Sequence, residues 1–279
     1  MQLPLRSKKS YLLDSQSIIK CKLKMLNIDG DQISIGIDLD QGGRLASLQW
    51  QDMQFVVPFN GDVLRWGWYG MAPWAGRIKD GLVKDSKGVS HQLPTTFMPP
   101  HAIHGFGFFS SWQDLGGGKQ LLEFPAPYNG ALVIQHFEIL DDALRWSLEY
   151  EANGCDLPFS LGFHPLIASD IGKGDSAELD FKANKMMVRD QDYVFTGQYL
   201  PQPPGPWDDT FVEIIGTPEI IWPGAARLTV ESDAPYWSVY TESEDGICLA
   251  PQTAPPDAQL LGVTGDNYIE ALFRFSEDL

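Results

Sequence analysis

The sequence predicts an all-β protein, and three observations support this fold class. Residues 33–40 and 144–151 alternate apolar residues with polar or small ones, the period-two pattern of half-buried strands. The chain also has 27 Gly and 20 Pro, which punctuate short apolar runs. No apolar pattern of helical period extends beyond about ten residues, where a globular helix would usually show one. We therefore expect a large antiparallel β-sandwich or barrel.

Further strands and turns can be placed along the chain. Strands are predicted over residues 131–140, 177–182, 226–231, 236–241 and 268–275. Tight hairpin turns are predicted at Asp29-Gly30, Asn60-Gly61, Asn129-Gly130 and Asn153-Gly154, because these pairs supply positive φ angles. The proline-rich residues 200–206 are typical of a stiff surface loop. Without a composition break or an internal repeat, residues 25–279 are expected to form a single domain.

The charge distribution excludes several classes of partner. Among 279 residues, 20 basic and 37 acidic side chains give a formal net charge of −17. Residues 1–24 are a basic leader with six basic side chains and one acid, or +5, so the rest carries −17 − 5 = −22. An acidic body disfavours nucleic acid, anionic membranes and anionic substrates.

The leader and the cysteines bear on localisation. The longest apolar run of the leader, about three residues, is too short for a secretory signal, which needs roughly 7–15. We interpret the leader as an irregular tail or an arm lying on the acidic body. No run approaches the roughly 18 apolar residues of a membrane span, so a soluble, cytoplasmic protein is expected. Cys21, Cys155 and Cys248 are far apart without metal-ligand spacing, which favours reduced thiols.

Five histidines are the first candidates for chemistry. His101, His104 and His164 lie among glycines and prolines, which suits loops or strand ends facing a cleft. His91 is expected alone in a polar loop, and His136 within a strand as a structural residue. A lone histidine is more often structural than chemical, and no His, Cys or carboxylate spacing indicates zinc.

Three other segments carry unusual side chains. Residues 66–78 contain three tryptophans and Arg77, which suits either a platform for sugar rings or core packing with Arg77 reaching solvent. Residues 207–211 include Asp208, which either accepts hydrogen bonds from a ligand or belongs to a solvated turn or helix cap. Residues 247–258 read as a strand that runs into a proline-stiffened loop. For the last two segments, spacing alone favours the structural interpretation.

Taken in order, these segments resemble the aldose 1-epimerase, or galactose mutarotase-like, family over roughly residues 25–275. The resemblance rests on residues 73–78, on His104-Gly105 followed by Trp112, on residues 162–165, on Asp208 with Phe211, and on residues 251–258. It implies a β-supersandwich with a sugar cleft, no cofactor and no metal. The implied partner is a neutral aldose whose α and β anomers are interconverted through acid-base ring opening. It makes no prediction of oligomeric state.

The resemblance also implies roles for individual residues. His164 would be the general acid, His104 would hydrogen-bond near the ring oxygen, and Arg77 would orient ring hydroxyls. Asp208 would accept hydrogen bonds from the sugar. Trp66 and Trp74 would form cleft walls.

The sequence departs from the family at the general base. The family places a glutamate immediately before the segment that begins here at Pro251, where this chain has Ala250. Gln252 would share the same strand face, but an amide is not a useful base. Possible substitutes are Glu242, Glu244, Asp245 and Glu270, of which the first three lie in a predicted hairpin turn and the last on the final strand.

Three functions follow from this pattern. The first is an aldose 1-epimerase-like enzyme, either with a relocated base or with reduced activity. The second is a carbohydrate-binding or sensor protein without catalysis, which Ala250 favours. The third, a sugar-phosphate enzyme, ranks last because no arginine follows His104-Gly105 and the body carries −22.

Overall fold

The computed structural model describes residues 25–278. In this part of the chain, strands and two short 3-10 turns account for all regular structure, which confirms the predicted all-β class. In chain order the strands are β1 Met25–Asp29, β2 Ile33–Asp38, β3 Arg44–Trp50, β4 Met53–Gln54, β5 Trp68–Met71, β6 Arg77–Ile78, β7 Leu82–Lys84, β8 Ser90–Gln92, β9 Ala102–Ile103, β10 Gln113–Gly116, β11 Lys119–Glu123, β12 Leu132–Ile139, β13 Ala143–Glu151, β14 Gly162–Ala168, β15 Glu178–Asp180, β16 Ala183–Arg189, β17 Phe195–Leu200, β18 Asp208–Ile214, β19 Glu219–Trp222, β20 Ala226–Glu231, β21 Tyr236–Tyr240, β22 Gly246–Gln252 and β23 Tyr268–Glu277. The 3-10 turns are Lys79–Gly81 and Ala258–Leu260. The leader over residues 1–24, with Cys21, lies outside the described residues, so the domain boundary at residue 24 stays a prediction.

Two antiparallel sheets dominate the described residues. The larger sheet has the strand order β1-β2-β3-β5-β14-β22-β21-β18-β16-β17, with β4 paired to β3. The smaller sheet has the order β10-β11-β12-β13-β23-β20-β19-β15. Two small ladders, β6 with β9 and β7 with β8, lie in the loops between them in sequence. Of the two architectures left open by the strand pattern, the chain forms the sandwich.

The main core lies between the two sheets and is rich in aromatic rings. Trp68 of the larger sheet packs on Phe273 of the smaller one, with ring centroids 4.8 Å apart. Trp146 and Phe163 form a second contact between the sheets at 4.4 Å. These large side chains are fully buried, so each removes a large apolar area from water.

The turn predictions are correct in part. Asp29-Gly30 joins β1 to β2 as a hairpin, although Gly30 does not have a positive φ. Asn129-Gly130 lies in the longer connection between β11 and β12. Asn60-Gly61 lies in the loop between β4 and β5, and Asn153-Gly154 lies where the chain passes from the smaller sheet to the larger one. The last two predictions of a hairpin are therefore wrong: Asn153-Gly154 forms a turn and Asn60-Gly61 lies at a bend, but in neither case are the flanking strands paired with each other.

Most of the strands expected from alternation are present. Residues 131–140, 226–231, 236–241 and 268–275 fall on β12, β20, β21 and β23, and the run at 177–182 shortens to β15. The proline-rich loop begins after Leu200, which ends β17. Cys155 and Cys248 are free thiols, as expected. Neither of the helical turns in residues 25–278 is long and apolar enough to cross a membrane.

We expect the contact between the sheets at Phe273 to contribute strongly to stability. Because its ring is fully buried against Trp68, the variant Phe273→Ala should lose about 3–5 kcal/mol of the free energy of unfolding. Urea denaturation measures this loss. The control variant Leu115→Ala, at a side chain 46% exposed, should change stability by less than about 0.5 kcal/mol. A loss below about 1 kcal/mol in Phe273→Ala would contradict this packing.

Candidate functional site

A cavity of about 210 Å³ lies on the face of the larger sheet that is turned away from the smaller sheet. Alternation along β22 produces it. Ile247 and Leu249 pack into the core between the sheets, whereas Cys248 and Ala250 line the cavity. A cavity of this size suits one small ligand.

Five of the residues predicted for the site line this one cavity. They come from separate elements and are Arg77 of β6, His104 after β9, His164 of β14, Asp208 of β18 and Gln252 of β22. The sheet brings together segments that are far apart in sequence, as the resemblance implies. Ala250 lines the cavity as well.

His104 and His164 lie next to each other at the base of the cavity. Their ring centroids are 4.9 Å apart, and the Nδ1 atom of each ring is buried and finds no hydrogen-bond partner within residues 25–278. Burial lowers the pKa of His164 to about 4. Burial also lowers the pKa of His104 well below its usual value, and the neighbouring His164 and Arg77 act in the same direction. At neutral pH both rings are therefore uncharged, and each offers one N–H donor and one lone pair.

Tight backbone contacts hold the loop that carries His104. The backbone N–H of His104 donates to the carbonyl of Gly76 at 2.9 Å. Gly105 has a φ of +78°, and a Cβ there would lie 2.0 Å from the carbonyl oxygen of Ala72. Only glycine fits this approach, and so the His104-Gly105 pair reflects a requirement of the backbone.

Arg77 and Asp208 lie beside each other in the cavity lining. The Arg77 Nη2 atom lies 3.6 Å from Asp208 Oδ2, and the Arg77 Nε donates to the sulfur of Met98. The side chain of Arg77 is mostly buried, so it does not reach out to bulk solvent. This pair places a cation and a carboxylate at the same wall of the site.

The hairpin formed by β16 and β17 also contributes to the cavity lining, and the sequence patterns do not predict it. Arg189 of β16 pairs with Asp208 at 3.3 Å and with Asp209 at 3.4 Å, and it also lines the cavity. Tyr193, at the tip of the hairpin, lies 4.4 Å from the guanidinium of Arg77 and 4.6 Å from that of Arg189. The only signal in the sequence is the turn at Asp190, whose carboxylate accepts the N–H groups of residues 192 and 194.

Gln252 belongs to a polar network on the cavity floor. Its Nε2 donates to Ser238 Oγ at 2.6 Å, and Ser238 Oγ lies 2.9 Å from the hydroxyl of Thr210. The Oε1 atom of Gln252 is buried and has no partner among the described residues. An unpaired buried acceptor is costly, so this oxygen is suited to accept a hydrogen bond from a ligand hydroxyl.

The strand register shows where position 250, at which the resemblance implies a glutamate, lies in the site. Gly162 pairs with Gln252 and Leu166 with Cys248, a register that places His164 directly beside Ala250. Residues opposite each other on neighbouring strands have Cβ atoms about 4.5–5.5 Å apart. A carboxylate at position 250 would therefore lie next to His164, and a methyl group occupies that place.

The proposed substitutes for the base lie in different places. Glu270 is on β23 of the smaller sheet, where it contacts Arg145 and Tyr268, so it does not share the cavity. Glu242 and Glu244 lie in the β21–β22 turn but not in the cavity lining. Asp245 from the same turn does line it. The carboxylates of the described lining are those of Asp208, Asp209 and Asp245.

Trp66 and Trp74 are not cleft walls, which corrects the expectation for both. Trp66 is buried under the guanidinium of Arg44, and Trp74 packs against Phe106 and Tyr128. Both rings are buried in packing contacts, so the alternative interpretation of them as core residues is right.

The other histidines serve the structure. His101 is buried and its Nδ1 accepts the N–H of Asp80. His91 lies in strand β8 against Asp85, not alone in a loop as expected. His136 lies in strand β12, as predicted.

The buried histidines predict a loss of stability in acid. The unfolded chain protonates histidine near pH 6.5, but folded His164 does so only near pH 4. Between these two pH values the unfolded state therefore binds more protons than the folded state. As the pH falls through this range, His164 should lower the free energy of unfolding by up to about 1.4 kcal/mol per pH unit. Urea unfolding from pH 8 to pH 4.5 should show a shallower acid loss in His164→Gln than in the wild type. Parallel pH curves for the two proteins would contradict the burial of a neutral ring.

Comparisons with known proteins support the architecture. Neither a family model nor a curated protein sequence matches the chain. A structure from Escherichia coli K12, provisionally described as an aldose 1-epimerase, superposes with a TM-score of 0.77 at 19% identity, covering 91% of this chain and 99% of that one. A galactose mutarotase-like protein from Clostridium acetobutylicum has a TM-score of 0.73 at 15% identity, with 91% and 94% covered. The aldose epimerase homologue from C. elegans has a TM-score of 0.72 at 15% identity, with 91% and 98% covered. The chain therefore has the galactose mutarotase-like fold.

Proposed function

We propose that the cavity binds a neutral aldose and that the chain interconverts its α and β anomers. The observation that carries this proposal is the meeting of His104, His164, Arg77, Asp208 and Gln252 around one cavity of about 210 Å³. A pyranose presents a ring oxygen and several hydroxyls, each of which needs a donor or an acceptor. The cavity lining supplies both kinds of group.

Ring opening requires two proton movements. The C1 hydroxyl loses its proton, the C1–O5 bond breaks, and O5 gains a proton; rotation of the aldehyde and the reverse steps yield the other anomer. We assign the O5 side to His164, with His104 as its neighbouring hydrogen-bond partner for the sugar. Burial keeps both rings neutral at rest, so their N–H groups donate hydrogen bonds to O5. The proton that O5 gains comes from His164 after this ring has taken up a proton from solvent, because a neutral imidazole is too weak an acid to give up its N–H.

The charges around the cavity favour a neutral ligand. Arg77 and Arg189 are held by Asp208 and Asp209, and Arg65 at the rim lies 3.6 Å from Asp62. A phosphate would have to compete with these carboxylates for the guanidinium groups. Sugar hydroxyls can instead bridge a guanidinium and a carboxylate without separating them. The sugar-phosphate alternative therefore stays third. Arg189 does line the cavity, although it lies far from His104-Gly105 in sequence, but its guanidinium is already paired.

A second candidate function is sugar binding without catalysis, and Ala250 favours it. The register places residue 250 beside His164, where a carboxylate would take the proton of the C1 hydroxyl. A methyl group cannot accept a proton, and removal of a general base typically lowers a rate by about 10²–10⁴. Free aldoses also mutarotate unaided, so a slow protein catalyst would add little.

A mutarotation assay separates the two functions. Freshly dissolved α-D-glucose or α-D-galactose is followed by polarimetry with the wild type, with Ala250→Glu and with Ala250→Gln as the matched control without a base. We expect the rate of Ala250→Glu to exceed the wild-type rate by about 10²–10⁴, and Ala250→Gln to show no gain. Adding His164→Ala to Ala250→Glu should return the rate to the spontaneous background.

The outcomes decide between the proposals. A wild-type rate above background that His164→Ala abolishes establishes the enzyme. A silent wild type that gains activity in Ala250→Glu establishes a binding protein that lacks the base. If Ala250→Glu is folded, binds sugar and stays silent, the assignment of proton transfer to this cavity is wrong.

Sugar binding has its own test. Asp208→Asn keeps the size of the side chain but removes the charge that holds Arg77 and Arg189. We expect it to weaken aldose binding by roughly tenfold, the equivalent of about 1.4 kcal/mol, as measured by NMR chemical-shift titration. Glu270→Gln on the opposite sheet is the control and should bind like the wild type. Equal affinity of Asp208→Asn and wild type would contradict this role.

A further inference from the structure

Arg44 is a fully buried arginine behind the cavity. Its guanidinium donates to the backbone carbonyls of Val63 at 3.0 Å and Trp66 at 2.7 Å, to that of Phe108, and through Nε to that of Gln41 at 2.6 Å. Within the described residues no carboxylate lies within 4 Å of it. Burial lowers its pKa only to about 10, so it remains a cation at neutral pH.

Such a charge is expensive to bury. The nearest buried carboxylate on the paired strand, Asp38, accepts the N–H groups of Asp40 and Gln41 instead. Carbonyl oxygens accept the hydrogen bonds of Arg44, and Asp38, its register partner on β2, is the buried carboxylate that partly balances its charge without a direct ion pair. The guanidinium is therefore held in one place by backbone carbonyls.

The guanidinium connects to His164 through one aromatic ring. It lies 4.8 Å from the ring centroid of Tyr69 and 4.4 Å from that of Trp66. Tyr69 is fully buried, and its ring stacks on His164 with centroids 4.5 Å apart and planes within 6° of parallel. Tyr69 and His164 are also paired by register across β5 and β14.

The stack on Tyr69 is a contact that can orient the His164 ring, as a hydrogen bond does in other sites. A functional histidine is usually oriented by a hydrogen bond at its second ring nitrogen. Here Nδ1 of His164 has no hydrogen-bond partner from another described residue, and the face of the ring packs on Tyr69. The face of Tyr69 is itself fixed by the cation over it and by its hydroxyl, which donates to Leu64 at 3.3 Å.

We propose that Arg44 is a positioning residue that acts through the ring of Tyr69 to hold the His164 imidazole in its orientation toward the cavity. This inference rests on the proposed function, in which His164 acts at the ring oxygen of an aldose. The other titratable groups near His164 are His104, whose ring lies 4.9 Å away, and the charge of Arg44 itself; Cys248, Arg77 and Asp208 share the cavity lining. Neither Tyr69 nor Arg44 has to touch the sugar.

Two kinds of measurement test the proposal. The first is mutarotation by Ala250→Glu protein that also carries Tyr69→Leu, Tyr69→Phe or Arg44→Met. We expect Tyr69→Leu to lower kcat by roughly tenfold with KM changed less than twofold, since the ring is positioned and not the substrate. Tyr69→Phe keeps the stack and should recover most of that loss. Tyr128→Leu, which removes a buried ring outside the cavity lining, controls for lost stability and should leave kcat unchanged.

The second measurement needs no activity. NMR of the His164 ring in the wild-type background should show contacts between its Hε1 or Hδ2 proton and the ring of Tyr69. These contacts, and a single ring orientation, should be lost in Tyr69→Leu. In Arg44→Met, His164 should titrate at higher pH than in the wild type, because a nearby cation has been removed.

The results distinguish failure of this proposal from failure of the proposed function. If Ala250→Glu protein shows no mutarotation, the proposed function fails, and the NMR arm alone decides the positioning. If Tyr69→Leu is folded and keeps a single ordered His164 ring, the positioning proposal is overturned. Should Arg44→Met not fold, the comparison of Tyr69→Leu with Tyr69→Phe still tests the stack, and Arg44→Lys, examined by the same NMR of the His164 ring, tests the arginine; a folded Arg44→Lys with the His164 ring unchanged in orientation and contacts would overturn the role of Arg44.

Discussion

The structure depends on one constraint: the central strands of the larger sheet are buried on both faces. β5, β14 and β22 direct one set of side chains into the core between the sheets and the other set toward the cavity. Because successive side chains of a strand alternate, a register slip of one residue would replace His164 by Phe163. The same ladder of hydrogen bonds therefore maintains the core and the site, and neither can change alone.

Alternation made the strands with one wet face predictable. β12, β13, β20, β21 and β23 repeat with period two because one face of each lies on the core and the other lies in water. β5 and β14 do not alternate, since both of their faces are buried, so the period-two pattern did not predict them as strands. Asn-Gly pairs predicted where the chain turns, but not which strands pair on either side, because pairing is decided between distant segments.

The site was predictable to the same extent. Arg77, His104, His164, Asp208 and Gln252 line one cavity, and it was the order of motifs in the resemblance, not the local pattern around each residue, that grouped them. Arg189 and Tyr193 reach the cavity from a hairpin more than a hundred residues beyond Arg77, and local sequence contains no sign of that contact. Trp66 and Trp74 show the converse: an aromatic ring beside glycine looks alike whether its partner is a ligand or, as here, Arg44 and Phe106. The charge balance of the cavity favours a neutral ligand over an anionic one, since Arg77 and Arg189 already have carboxylate partners.

The central claim is that an aldose binds with its ring oxygen at the two buried histidines. The most direct measurement is a crystal structure of the protein soaked or grown with D-galactose or D-glucose. We expect a sugar in this cavity with its O5 atom within about 2.6–3.2 Å of a nitrogen of His164 or His104. Hydroxyl groups of the sugar should form hydrogen bonds with Arg77 and Asp208. A sugar bound elsewhere, or bound here with its ring oxygen turned away from both histidines, would contradict it.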